Sequence, residues 1–357
     1  MNQSIPVIRT LAPKAKPADE SRLGFGQVFT DHMFIMDYVD GQGWINARIV
    51  PYGPLPMDPS TMVFHYGQSV FEGLKAYRGA DGSINLFRPR LNFERLNVSN
   101  ERMAIPKLDE DFCVEAVRTL VRLEADWVPS APETSLYIRP FVFASDPFLG
   151  VRPSHTYHFI VILSPSGAYY PQGLNPIAVY VEDEYVRAVK GGTGFTKCAG
   201  NYAASLLSQA NAYKTGFVQV LWLDGIHRKY IEEVGSMNVC FVIDGKVVTP
   251  ELNGSILPGI TRRSVLETAA HMGIPTEERQ IAIDELVALH AQGRVTEMFG
   301  CGTAAVISPV GTLRYMDTEL TFNQGEIGPV SRRMYDTITG IQYGRLADPG
   351  SWIVRVD

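Results

Sequence analysis

Four cysteines in 357 residues, at positions 113, 198, 240 and 301, leave no paired C-x-x-C spacing. That removes the zinc ribbon and the dithiol redox motif, and all four read as reduced thiols. G-x-S-x-G, the Walker-type phosphate loop and H-E-x-x-H are also missing, so three common hydrolytic and nucleotide chemistries have no local signature. Apolar runs such as "FIVIL" are far too short to span a bilayer. The opening "MNQSIPVIRTLAPKAKPADESRLGFG" lacks the basic-then-apolar layout of a signal peptide. An excess of positive charge is missing as well: 32 Lys and Arg stand against 38 Asp and Glu, a net charge of −6. A protein that binds phosphate backbones irrespective of sequence would carry the opposite balance. The expectation is a cytoplasmic enzyme with neither a nucleic-acid nor a membrane partner.

What is present is globular: 45% hydrophobic and 20% charged residues, in a chain longer than one core usually supports. Residues 1–24 are polar and proline-containing and read as a loosely attached arm. "SPSGAYYPQGLNP" at 164–176 has the composition of a connector. A smaller domain over 25–163 and a larger one over 177–357 follow from that division. Strand-like runs occur at "MFIMDYV", "GWINARIV", "SLYIRPFVFA", "YHFIVIL", "IAVYVE", "FVQVLWL", "MNVCFVI" and "KVVTP". Helical periodicity occurs at "LNFERLNVSNERMAI", "FCVEAVRTLVRLEADWV", "AASLLSQANAY", "RRSVLETAAHM" and "IDELVALHAQG". Strands and helices mix without strict alternation, which predicts an α+β fold rather than a doubly wound sheet.

Between Gly191 and Tyr213 the only charged residue is Lys197, in "VKGGTGFTKCAGNYAASLL". Glycines 191, 192 and 194 would allow close backbone approach to a ligand, and charge-poor surroundings favour a neutral, nucleophilic amine. A surface lysine on a glycine-rich loop is the plain alternative. "LPGITRRSVLE" sets Gly259, Ile260 and Thr261 at a helix start, where free N–H groups bind anions. "FGCGTAAVI" offers a second small-residue turn at Gly302, Thr303 and Ala304; each of these segments also reads as an ordinary loop. His155 and His158 lie three apart in an extended run and face opposite sides, so no metal site is expected of them.

"HYGQSVFEGLKAYR", "LFRPRLNFERL", "GGTGFTKCAGNY", "IEEVGSMNVCF", "LPGITRRSVLE" and "FGCGTAAVISP", in this order and spacing, resemble the branched-chain amino acid aminotransferases from about Phe25 to "IQYG". These are class IV pyridoxal-phosphate enzymes of fold type IV, related to D-amino acid aminotransferases. The resemblance implies two domains with pyridoxal 5'-phosphate at their interface. It implies a reversible ping-pong transfer of the amino group of leucine, isoleucine or valine to 2-oxoglutarate, through the pyridoxamine form. By the same resemblance, Lys197 forms the internal Schiff base and shuttles the α-proton, and Glu233 partners the pyridine nitrogen. Arg95, which alone reads as one of several surface arginines on a helix, holds the phosphate with Ile260, Thr261 and Thr303. Tyr202 meets the ring oxygen and Ser236 lies nearby. Glu232, next to Glu233, reads as a solvated strand edge.

For substrate, the resemblance implies that Phe25, Tyr66 and Tyr169 line the side-chain pocket and that Thr303 with Ala304 meets the α-carboxylate. Arg139, with Tyr66 or Tyr137, is the candidate for glutamate's second carboxylate, against the reading of a paired structural arginine. A homodimer is implied, with Val151 of "FLGVRP" reaching the other subunit. Some relatives carry C-x-x-C after the Gly-Thr-Ala turn; here the positions hold Ala305 and Ser308, so that switch cannot form. Competing readings are a D-amino acid aminotransferase or aminodeoxychorismate lyase of the same fold, or a catalytically silent protein that keeps it.

Overall fold

A computed structural model describes residues 5–167 and 173–356, and Tyr169 therefore lies outside the described residues. The chain forms two compact units. One comprises Met1–Tyr169, Thr196–Ala199 and Ile341–Asp357, the other Tyr170–Phe195 and Gly200–Gly340. The segment around Lys197 and the C-terminal stretch thus belong with the first unit, which a division of the sequence into consecutive domains does not anticipate.

In the first unit the strands are β1 (His32–Val39), β2 (Gly43–Pro51), β3 (Ser69–Phe71), β4 (Leu74–Arg78), β5 (Ile84–Phe87), β6 (Ser135–Ala144) and β7 (Thr156–Ser166). They make one antiparallel sheet in the order β5-β4-β6-β7-β1-β2, with β3 also paired to β6. β7 runs through Ser164–Ser166, the first residues of the expected connector. Pro165 is tolerated there because β1 pairs β7 only over Thr156–Val161, leaving the proline without a strand on that side.

The helices of this unit are α1 (Met62–Tyr66), α2 (Pro89–Arg102) and α3 (Glu110–Leu123). α3 buries Cys113, Ala116, Val117, Leu120 and Val121, spaced as one helical stripe, and Asp109 caps it by accepting from Phe112 N at 2.9 Å. The stripe joins a core with Phe34, Phe93 and Phe159, all fully buried. Each such phenylalanine contributes about 1.5–3 kcal/mol of transfer free energy.

The arm is attached rather than loose. Val7 bridges Ile49, whose N–H donates to Pro6 O at 2.9 Å, and Lys14 N donates to Asp31 Oδ1 at 2.8 Å. Glu20 accepts from the N–H groups of Ser130 (2.8 Å) and Ala131 (3.0 Å). These contacts depend on what β2 and the 130–131 turn present, which arm composition does not reveal.

The second unit contains β8 (Ile177–Glu182), α4 (Ala199–Ala203), α5 (Leu206–Lys214), β9 (Gln219–Leu223), β10 (Ile231–Val234), β11 (Met237–Ile243), β12 (Lys246–Thr249), α6 (Ile260–His271), β13 (Thr276–Glu278), α7 (Ile283–Ala291), β14 (Val295–Gly302), β15 (Val306–Tyr315), β16 (Thr318–Thr321) and α8 (Pro329–Gln342). Its strands run β10-β9-β8-β15-β14-β11, and β10 pairs β11 as well, so six of them close into a ring. Closure removes two edges that would otherwise need covering. β9 and β11 are buried along their whole length, which explains why both are apolar apart from Gln219 and Asn238. The start of α8 rests on Glu297 of β14, whose carboxylate accepts from Val330 N and Ser331 N at 2.8 Å each.

A last strand, β17 (Ile353–Arg355), pairs antiparallel with β5 and completes the first sheet. Arg88 N donates to Trp352 O at 2.6 Å, Val356 N to Ile84 O at 3.0 Å, and the Arg88 guanidinium lies 3.8 Å from the centre of the Trp352 ring.

Candidate active site

Lys197 lies just ahead of α4 with its main chain held on both sides: its N–H donates to Ser99 Oγ at 3.0 Å, and its carbonyl accepts from Phe71 N at 3.0 Å. Its Nζ stands 4.8 Å from the centre of the Phe71 ring. Two of the glycines before it, Gly192 and Gly194, serve the protein's own packing. A Cβ at Gly194 would strike Ser255 O, and one at Gly192 would lie 3.0 Å from Val189 O.

Glu72, between β3 and β4, is fully buried and grips Arg95 of α2 with both oxygens, at 2.7 Å to Nε and 2.8 Å to Nη2. Arg95 is itself only 8% exposed, so the plain reading of a surface arginine is wrong for it. Burial pushes the Glu72 carboxyl up, but the Arg95 guanidinium, Lys197 and Asn92 outweigh it and hold the group below its ordinary value. Asn92 Nδ2 donates to Glu72 Oε2 at 2.8 Å.

A depressed folded pKa stabilises the fold fully above the unfolded value, about 4.3. That contribution is lost as pH falls through the folded value. Glu72→Gln leaves the buried guanidinium without its counter-charge and is expected to cost about 3 kcal/mol or more of stability, measured by urea unfolding at pH 7. A cost below about 1 kcal/mol, the size of an ordinary hydrogen bond, would count against a buried ion pair.

Other expected substrate residues gather in the same unit. Tyr137 and Arg139 are two apart on β6, with Arg139 Nη2 donating to Tyr137 OH at 3.0 Å. Phe25 meets the Tyr137 ring edge-on at 4.8 Å, and the Arg139 guanidinium lies 4.6 Å from the centre of the Phe71 ring. Arg139 Nε is buried without a hydrogen-bond acceptor, which weakens the reading of a fully paired structural arginine. Lys75 of β4 is paired in register with Tyr137, and burial lowers its ammonium to about 8. Tyr66 is grouped elsewhere: its hydroxyl donates to Leu149 O, next to the loop where Val151 is 86% exposed.

In the second unit Glu233 is 3% exposed, accepts from Leu257 N at 2.7 Å and stands 3.3 Å from Arg187 Nη2. Asn238 Nδ2 donates to Leu257 O at 2.9 Å, so Leu257 is held from both sides just before α6. Glu232 is buried as well, accepting from Ser255 Oγ and from Asn253 Nδ2 at 3.0 Å. The reading of a solvated edge fails because the register of β10 on β9 slips between Ile231 and Glu233. The residue between them becomes the extra residue of a bulge, so neighbouring carboxylates meet the same segment, 253–257.

α6 begins at Ile260 with Gly259 as its N-cap and no side chain capping it, which leaves the N–H groups of Ile260 and Thr261 to an outside acceptor. A Cβ at Gly259 would collide with Asn238 Oδ1. Thr303 and Ala304 form the turn between β14 and β15, Tyr202 is on α4, and Ser236 is exposed in the β10–β11 turn. Among the described residues no cluster of His, Cys, Asp and Glu could hold a metal. No helix there is long and apolar enough to cross a membrane.

The sequence reading overlooked Glu72, Ser99 and Arg187. Glu72 and Arg187 had a signal available, as single charges inside the apolar runs "SVFEGL" and "YVRAV".

Residues 69–313 match the amino-transferase class IV family, and the chain belongs to it. It is 57% identical to branched-chain-amino-acid aminotransferase 2 of Bacillus subtilis over 99% of this chain and 97% of that protein. It is also 57% identical to a probable branched-chain-amino-acid aminotransferase of Staphylococcus aureus over 100% of this chain and 99% of the relative. Among solved structures, the Escherichia coli branched-chain amino acid aminotransferase superposes with a TM-score of 0.77 at 29% identity, over 91% of this chain and 99% of the other. A branched-chain amino acid aminotransferase from T.th., solved with pyridoxamine 5'-phosphate, gives 0.76 at 26% identity over 91% of this chain and 98% of that one. Within its class the chain is thus one of the branched-chain-amino-acid aminotransferases, and its cofactor is pyridoxal 5'-phosphate.

The residues present fit that cofactor. An uncapped helix start suits its phosphate, a buried carboxylate beside an arginine suits a protonated ring nitrogen, and a tethered lysine suits its aldehyde.

Proposed function

We propose that Lys197 carries the cofactor covalently and moves the proton of the transamination, in an enzyme that transfers the amino group of leucine, isoleucine or valine to 2-oxoglutarate. The observation that carries the assignment is the anchoring of Lys197 through both main-chain polar atoms, in the same unit as the buried Glu72–Arg95 pair. Bound pyridoxal phosphate supplies an aldehyde for amines and a ring that withdraws electrons from the substrate α-carbon. Lys197 Nζ would take the proton from that carbon and deliver it to C4′ of the bound cofactor, and would run the transfer in reverse for the second half of the ping-pong cycle. Glu233 holds a proton on the ring nitrogen, with Arg187 Nη2 3.3 Å from its carboxyl group.

Arg95, the N–H groups of Ile260 and Thr261, and Thr303 bind the phosphate; Tyr202 hydrogen-bonds the ring oxygen with Ser236 nearby. Phe25, Tyr66 and Tyr169 line the pocket for the aliphatic side chain, Tyr66 or Tyr137 assists Arg139, and Thr303 with Ala304 receives the α-carboxylate. Arg139, whose buried Nε lacks an acceptor, takes the second carboxylate of glutamate. A steady-state panel of L- and D-amino acids against 2-oxoglutarate tests the reading. Turnover of leucine, isoleucine and valine supports it; turnover of D-amino acids alone overturns it.

The enzyme works in the cytoplasm as a homodimer in which Val151 reaches the other subunit's pocket. Its 86% exposure in the single chain supports that. Sedimentation of the holoenzyme during turnover is expected to give the dimer mass, and an active monomer would sink this part of the reading.

A further inference from the structure

Ser99 is fully buried in the interior of α2, one turn after Arg95. A serine there is a mediocre helix former, and its hydroxyl is costly unless it is hydrogen-bonded. Its oxygen accepts the N–H of Lys197 at 3.0 Å. Residues four apart share one face of a helix, so α2 holds the Arg95 guanidinium and the Lys197 main chain on the same side. Phe71 N closes the arrangement by donating to Lys197 O, and Cys198 bridges Val70 of β3. Lys197 precedes the first turn of α4, which starts at Ala199, so helix formation supplies its N–H with no acceptor.

We infer that Ser99 is a positioning residue for the transamination, fixing the Cα of Lys197 relative to α2 so that Nζ moves by side-chain rotation alone. This rests on the assignment of Lys197 as the attachment and proton-transfer residue. Ser99 touches neither cofactor nor substrate in this role. It acts through the lysine, where a displacement of about 1 Å is enough to cost on the order of 10²-fold in rate.

The test uses the holoenzyme. Ser99→Ala is expected to lower kcat about 10- to 100-fold while KM for leucine stays within about threefold. It is also expected to shift the pH dependence of the bound cofactor's absorbance. Ser99→Thr, which keeps the oxygen, should recover most of kcat. Independently of activity, the Lys197 amide should exchange slowly with solvent in wild-type apoenzyme and holoenzyme and much faster in Ser99→Ala, with amides of β6 unchanged. Unaltered kcat, or unaltered exchange at Lys197, overturns the inference. So does faster exchange spread over the whole first unit, which would mark a merely structural serine. Borohydride reduction of the wild type separates the two levels: label on another lysine defeats the Lys197 assignment, whereas the exchange data judge the Ser99 contact by themselves.

Discussion

Lys197→Ala is expected to abolish turnover, by about 10⁴-fold or more, because on the proposed assignment it removes the covalent anchor and the proton carrier together. The competing amine is Lys75, in the same unit, which burial brings to about 8 and so leaves partly neutral near physiological pH. Lys75 is 7% exposed in the middle of β4, whereas Lys197 is half-buried on a segment between helix and loop, where a side chain can swing. Borohydride reduction followed by peptide mapping should place the label on Lys197. Label on Lys75 or on the exposed Lys190, or substantial activity in Lys197→Ala, would refute the assignment.

The second large effect belongs to Glu233. Glu233→Gln keeps the shape and the acceptor for Leu257 N but removes the negative charge that, on the proposed assignment, holds the ring nitrogen protonated. Removing one preorganised electrostatic group of this kind costs on the order of 10²- to 10³-fold in rate. Single-turnover rates of α-proton removal should fall by that amount while the cofactor remains bound, its phosphate contacts being untouched. Near-normal rates would shift the role to Glu232, which the bulge in β10 brings to the same segment. Glu232→Gln is the control and should leave the chemical step nearly unchanged.

The strongest local patterns read correctly. "SLYIRPFVFA", "IAVYVE" and "MNVCFVI" coincide with β6, β8 and β11, because β-branched and aromatic residues in short runs have few other options. β14 has no strand signature at its end because Gly300 and Gly302 interrupt the apolar run, yet Gly300 pairs with β11 and β15 and Gly302 with β15, just ahead of the turn at 303–305. The helix expected at "AASLLSQANAY" forms as α5 but starts only at Leu206, and the short α4 that ends at Ala203 precedes it without a periodic signal. α8 went unread although Met334, Ile338 and Ile341 keep helical spacing. At the site, the charged residues stood out against apolar surroundings, but their partners did not. Glu72 for Arg95 and Ser99 for Lys197 are chosen by strand register and helix facing across 23 and 98 residues, which no local window contains.

The pairing of β17 with β5 has a consequence for synthesis of the chain. The edge of the first sheet, with Arg88 stacked on Trp352 and Val356 bonded to Ile84, joins residues more than 250 positions apart. Contacts of such separation form late, after the loop-closure entropy has been met. As the polypeptide emerges, the ring of the second unit has all six of its strands once Tyr315 is out, while the unit begun first still waits for its last strand. Until then β5 presents an open edge of the kind that chains pair with wrongly. The final residues of this sequence therefore decide when the earliest ones become safe from misassembly.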